Sequence, residues 1–173
     1  LGTLGGVRSE AHDINNSGVV VGWSRNALNQ VRAFRTSPNV AINPATDGFG
    51  TLTGGTYSVA YSVNANGQFT GDSGSSGGDR AYRVTGATMD VISPIGGNWS
   101  YGVAINNLGH VVGATSTKTV GPTHAFLYNG TQKFDLGELA QGRDSYARGA
   151  LLAAKFLANR PAGRYTMNDV LGL

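Results

Sequence analysis

A chain of 173 residues is long enough for one domain with a sizeable core, and its 40% hydrophobic residues, placed at regular intervals, exclude a disordered polymer. Charged residues are only 13% while glycine fills 27 positions, a balance that suits short strands joined by tight turns. The net charge of +3 arises in residues 143–173, where five basic residues face two acidic ones; residues 1–142 are balanced, eight against eight, which excludes a basic nucleic-acid-binding field on that part of the chain.

The first unit opens at Leu4-Gly5-Gly6. It predicts a strand over 9–14, a turn at Asn15-Asn16-Ser17-Gly18, a second strand over 19–23, a third around Arg32-Ala33-Phe34 and a weaker fourth over 40–42. The second unit repeats the order from Leu52-Thr53-Gly54-Gly55: strand 58–63, turn Asn64-Ala65-Asn66-Gly67, strand 69–71, then Arg80-Ala81-Tyr82 and a strand over 90–92. The third starts at Ile95-Gly96-Gly97 and runs through strand 100–105, turn Asn106-Asn107-Leu108-Gly109, strand 110–112, His124-Ala125-Phe126 and a strand over 134–136. A fourth opening at Leu136-Gly137-Glu138-Leu139 ends in Gly142, and its asparagine never arrives.

Fixed landmarks separated by variable lengths are the signature of a repeat whose loops absorb the differences. Four short strands per 42–49 residues is the dimension of a propeller blade. The fold class expected is therefore all-β: three propeller-type four-stranded repeats, at about 1–48, 49–91 and 92–135, forming a partial or oligomer-completed β-propeller. A β-trefoil is the structural alternative. Six residues, Asn15, Gly18, Asn64, Gly67, Asn106 and Gly109, are assigned as structural turn positions, because Asn and Gly accept the left-handed backbone that tight turns require.

No constellation with catalytic spacing emerges. Gly71-Asp72-Ser73-Gly74 resembles a serine-protease nucleophile motif, but Gly71 aligns with Gly22 and Gly113 of the other units, so the segment reads as a blade turn. His12, His110 and His124 share no metal-ligand spacing, and Asp13 is the only acid near any asparagine turn, so neither zinc nor calcium is expected. Trp23, Trp99 and Tyr101 could form a sugar-stacking surface, but aromatics on blades are more often core residues, and they are read as such. No catalytic, cofactor-binding or metal-binding residue is assigned, and no cofactor. The lack of cysteine excludes disulfides, and no run of 18 apolar residues suggests a membrane span. The chain starts at Leu1 within a repeat opening and shows no signal peptide, which predicts a trimmed or mature fragment.

The motif set Leu-Gly-Thr-Leu-Gly-Gly, then Ile-Asn, then His/Arg-Ala-Phe resembles the HAF family of extracellular repeats over residues 1–142. The third unit matches it most closely through His124-Ala125-Phe126, while Arg32 and Arg80 replace that histidine in the first two. The resemblance implies blades in exported bacterial proteins and carries over no catalytic residue.

From Arg143 the pattern changes to Tyr146, Ala147, Ala150, Leu151, Ala154 and Leu157, the three-and-four spacing of an amphipathic helix over 145–159, stopped by Pro161 and Gly163. Arg143-Asp144-Ser145-Tyr146-Ala147-Arg148-Gly149-Ala150 and the ending Tyr165-Thr166-Met167-Asn168-Asp169-Val170-Leu171-Gly172-Leu173 resemble the C-terminus of dihydrodipicolinate reductases. That family binds its nicotinamide cofactor on a glycine-rich loop, and no Gly-x-Gly-x-x-Gly occurs here; its paired histidines and its Ser-Gly-Thr loop are absent too. The expected function is a non-enzymatic extracellular scaffold or binding module of unknown ligand, located outside the cell or on its surface. Self-association is expected to complete the blade array. The alternative is a fragment or fusion related to dihydrodipicolinate reductase, of lysine biosynthesis, without the cofactor and catalytic motifs.

Overall fold

The structure, a computed structural model, describes residues 2–137; the helix expected over 145–159 lies outside the described residues. Contacts divide the chain into Leu1–Gly137 and Glu138–Leu173. The first part is all-β, with eleven strands in three separate antiparallel sheets.

Sheet one is β1 (Gly5–Ile14), β2 (Val20–Asn26) and β3 (Val31–Arg35). Sheet two is β4 (Ser58–Val63), β5 (Phe69–Ser73), β6 (Arg80–Thr85) and β7 (Thr88–Ile92). Sheet three is β8 (Ser100–Ile105), β9 (Val111–Ser116), β10 (Thr123–Tyr128) and β11 (Lys133–Asp135). Each sheet is an up-and-down meander in chain order. Every ladder pairs strands of the same unit, and no barrel or ring closes among the described residues, so neither the propeller nor the trefoil describes what is seen. A trefoil needs strands shared between units in one barrel; here each unit satisfies its own ladders and meets the next only through side chains and loops.

The first unit departs from the four-strand expectation. Residues 40–42 form no strand. The chain passes Pro38 and Pro44, neither of which can donate to a ladder, and the edge beside β3 is taken by Asp47–Phe49 instead. Arg35 N donates to Asp47 O, Phe49 N donates to Ala33 O, and Phe34 forms a single bridge with Gly48. The detour carries Ile42 into a small cluster with Leu4 and Phe34.

The repeated landmarks are explained by packing. On β3 and β6 the alanine and the aromatic point to opposite faces. Ala33 joins Val19 and Val21 against Ala60, Phe69, Tyr82 and Val84 of sheet two, while Phe34 faces the Leu4 cluster. Ala81 packs with Val111 and Phe126 of sheet three. The alanine lets the next sheet approach closely and the aromatic fills the opposite side. Gly22, Gly71 and Gly113 answer a different constraint. Each lies opposite a register shift in the first strand, at Ala11/Asp13, Ala60/Ser62 and Gly102/Ala104. A Cβ at Gly71 would run into the carbonyl oxygen of Val59, and the same holds at Gly22 with Glu10 and at Gly113 with Tyr101.

Candidate functional site

The six turn residues occupy equivalent positions. In each turn the asparagine backbone N–H donates to the residue four on, Val19, Gln68 or His110, and its carbonyl accepts from Gly18, Gly67 or Gly109. The glycines hold φ of 81°, 73° and 77°, the left-handed region where a side chain is strained. The asparagine Oδ1 accepts two further backbone N–H groups: Ser17 and Val19 for Asn15, Asn66 and Gln68 for Asn64, Leu108 and His110 for Asn106. These oxygens are committed to the backbone.

The amide nitrogens do something the repeat pattern alone does not reveal. Asn15 Nδ2 donates to the Asn64 carbonyl at 2.9 Å, and Asn64 Nδ2 donates to the Asn106 carbonyl at 2.9 Å. The three turns thus form a ladder that joins the sheets. Arg35 Nη1 to Gly67 O and Arg83 Nη1 to Gly109 O, both 3.0 Å, run beside it. Ala33 N and Ala81 N donate to Ser58 Oγ and Ser100 Oγ of the following unit. In unit three the equivalent of Arg35 and Arg83 is Leu127, and His124 is held within its own unit by Asp135 at 2.8 Å. A further set of hydroxyls, Ser24, Ser73 and Thr115, accepts the backbone N–H of Leu4, Leu52 and Ile95 and pins each opening to its sheet. These hydroxyls follow the landmark glycine by two residues, a spacing legible in the sequence but not recognised there as a landmark.

A groove of about 610 Å³ opens across the first strands of all three sheets and β5, lined by Ala11, His12, Tyr61, Asp72, Tyr101 and Val103. Its floor is Asp72, only 8% exposed. The reading of 71–74 as a turn is corrected here: Gly71, Asp72 and Ser73 belong to β5, and Asp72 pairs with Val59 of β4. Tyr57 Oη donates to Asp72 Oδ2 at 2.7 Å, whereas Asp72 Oδ1 is buried without a hydrogen-bond partner. Burial pushes the Asp72 carboxyl up from its ordinary range, and the hydroxyls of Tyr57 and Tyr61 act against that shift. Ser73 Oγ donates to the carbonyls of Tyr57 and Gly74 and has no histidine beside it, so it is a framework group.

Aromatic rings form the walls. His12 stacks on Tyr61 with ring centres 5.2 Å apart, and Trp99 stacks behind Tyr101 at 5.6 Å. His12 Nδ1 lies 2.8 Å from the Ala60 carbonyl, so Nδ1 carries the hydrogen and Nε2 faces Glu10 at 3.5 Å. Trp23 is not part of this wall; it lies under the Arg8 guanidinium at 5.1 Å. The sequence named Tyr101 and passed over His12, Tyr61 and Asp72 as groove residues, because the lining is assembled from three repeats that differ at just these positions. Among the described residues no three His, Asp or Glu side chains converge as a metal site, and no helix is long and apolar enough to cross a membrane.

Comparison with known proteins bears on the C-terminal part of the chain. Residues 94–171 match the family of the dihydrodipicolinate reductase C-terminus. The chain is 40% identical over 76 residues to a 4-hydroxy-tetrahydrodipicolinate reductase of Anaeromyxobacter sp. (strain Fw109-5), a match covering 43% of this chain and 25% of the relative. The reductase of Gluconobacter oxydans (strain 621H) is 48% identical over 52 residues, or 30% of this chain and 21% of its own. That of Burkholderia thailandensis is 47% identical over 51 residues, or 29% and 19%. The chain therefore spans a quarter or less of these relatives' length. No solved structure matches. The tail resemblance to this reductase family is confirmed. The reading as an HAF-type extracellular scaffold or binding module is corrected: the family match takes in the third unit as well as the tail, and the relatives are reductases. The extracellular location rested on that resemblance and is corrected with it.

Proposed function

We propose that this chain is a reductase-related protein of lysine biosynthesis, in which a segment of the dihydrodipicolinate reductase C-terminal type is joined to a three-sheet β domain. It is non-catalytic by itself and associates with subunits that carry the nicotinamide machinery. One observation carries this reading, the match of residues 94–171 to the reductase C-terminus. What supports the non-catalytic part is that these 173 residues hold no dinucleotide-binding fingerprint and so offer no glycine-rich cradle for a nicotinamide cofactor. The association follows from the periodicity of the tail. Tyr146, Ala150, Leu151, Ala154 and Leu157 recur at the three-and-four spacing of an amphipathic helix, and such a sequence calls for an apolar neighbour. Another copy of this chain or an intact reductase offers that neighbour.

The test uses the full chain and the Anaeromyxobacter reductase. Light scattering of the mixture is expected to show a species containing both, while a chain ending at residue 137 stays separate. The full chain alone is expected to oxidise no NADPH with 4-hydroxy-tetrahydrodipicolinate. A full chain that ignores the reductase at tens of micromolar, or that turns over alone, overturns the proposal.

A further inference from the structure

The groove is assembled from all three units, Tyr101 and Val103 from within the reductase-matched residues and Ala11, His12, Tyr61 and Asp72 from outside them. Its floor is a carboxylate with one oxygen satisfied by Tyr57 and the other, Oδ1, buried without a partner. A buried acceptor left empty costs free energy, because burial strips its water without replacing the hydrogen bonds. The fold keeps this arrangement at one unit only: the residues equivalent to Asp72 are Trp23 and Ala114. Asp72 is therefore no requirement of the repeat.

Its surroundings define what would complete it. The walls are the ring faces of Tyr61, stacked on His12, and Tyr101, stacked on Trp99. A ring face is electron-rich and attracts a cation. Asp72 is the one carboxylate among the described lining residues, and Asp79 adds its field to it. Among the described lining residues His12 is the one basic group, and its Nδ1 hydrogen is committed to the Ala60 carbonyl. The nearby Arg8 lies over Trp23 and pairs with Glu10 at 3.5 Å, so it does not reach Asp72. Asp72 thus stands among aromatic faces with no lysine or arginine in the described lining.

We propose that this groove binds a small organic cation of the primary-ammonium class, its N–H groups donating to Asp72 and its charge lying between Tyr61 and Tyr101. A volume of about 610 Å³ suits a small molecule and exceeds what one or two waters need. A neutral sugar would also find ring faces. It would leave the charge of Asp72 uncompensated, and the ammonium is the occupant that meets both features.

The experiment is a titration of the full chain with butylammonium chloride, followed through the ring resonances of His12, Tyr61 and Tyr101. Sodium chloride at equal ionic strength and methyl glucoside are the comparison ligands. Saturable shifts with butylammonium alone are expected, with affinity falling at least tenfold in Asp72→Asn and about threefold in Tyr101→Ala. Tyr101 is 40% exposed on the rim, so that variant keeps its fold and decides the matter even where Asp72→Asn perturbs the core. No saturation by roughly 50 mM, equal response to the glucoside, or unchanged affinity in folded Asp72→Asn or in Tyr101→Ala overturns the proposal.

Discussion

Replacing Asn64 by alanine tests the turn ladder most directly, because the three asparagines are matched in sequence and differ in surroundings. Asn64 is 4% exposed and makes four side-chain bonds: Oδ1 accepts from Asn66 N and Gln68 N at 3.0 Å, and Nδ2 donates to Gln68 Oε1 at 2.8 Å and to Asn106 O at 2.9 Å. Asn15 keeps the two turn bonds and one cross-sheet bond and is half-buried. Asn106 keeps the two turn bonds and is exposed. A typical intramolecular hydrogen bond contributes about 1 kcal/mol net, and a group left buried without its partner costs about 1–3 kcal/mol. Asn66 N is exposed and regains water, whereas the Gln68 N–H is partly buried and recovers less. Asn64→Ala should therefore cost about 3 kcal/mol, Asn15→Ala about 2 and Asn106→Ala about 1. Urea unfolding followed by tryptophan fluorescence reads these as midpoint shifts; with a slope of about 2 kcal/mol/M, the Asn64 variant moves by about 1.5 M. Asn64→Asp separates the turn bonds from the rest, since it keeps the Oδ1 acceptor and loses both Nδ2 bonds, to the Asn106 carbonyl and to Gln68 Oε1. Equal midpoints for the three alanine variants would show that the turns act separately and that the ladder carries no energy.

Gly71→Ala is expected to abolish stable folding, at a cost of about 3 kcal/mol or more, because the Cβ meets the Val59 backbone. Gly67→Ala has open space and strains only its left-handed backbone, costing about 1 kcal/mol, so soluble yield and melting temperature should separate the pair. Arg83→Lys should lose about 1–2 kcal/mol, since lysine cannot both reach Gly109 O and lie flat over the Tyr128 ring at 5.3 Å; a midpoint equal to that of the native chain would refute it. The Asp72 carboxyl is raised in the folded state, so its contribution to stability is present below the unfolded carboxylate range near pH 4 and is lost as pH rises through its higher folded value. Asp72→Asn should accordingly gain stability relative to the native chain between pH 3 and pH 7 in urea titrations, and a gap that narrows with pH would contradict the assignment. Circular dichroism of a chain ending at residue 137 should retain the β signal and lose nearly all helical signal, a strongly helical spectrum being the refuting result.

The sequence by itself determined the units, the order of strands within them and the turn positions. These are local: the Asn-to-Gly spacing sets a left-handed backbone, and the apolar alternation about Ala33-Phe34, Ala81-Tyr82 and Ala125-Phe126 places one small and one large residue on opposite faces. Tertiary structure decided what lies beyond one unit. The missing fourth strand of unit one depends on Asp47–Phe49 occupying the edge, which no pattern in 40–42 announces. The Asn15–Asn64–Asn106 ladder and the arginine contacts need the separation of the sheets, not their sequence. The groove is the clearest case. His12, Tyr61, Asp72 and Tyr101 come from three different units, at positions where the repeats diverge, so averaging over the units discards them. Only the stacking of the three sheets brings them together, and burial then gives Asp72 its unmet oxygen. The comparisons follow the same division: the repeat pattern reports packing, which many unrelated proteins share, whereas residues 94–171 carry in their identities the match to the reductase C-terminus.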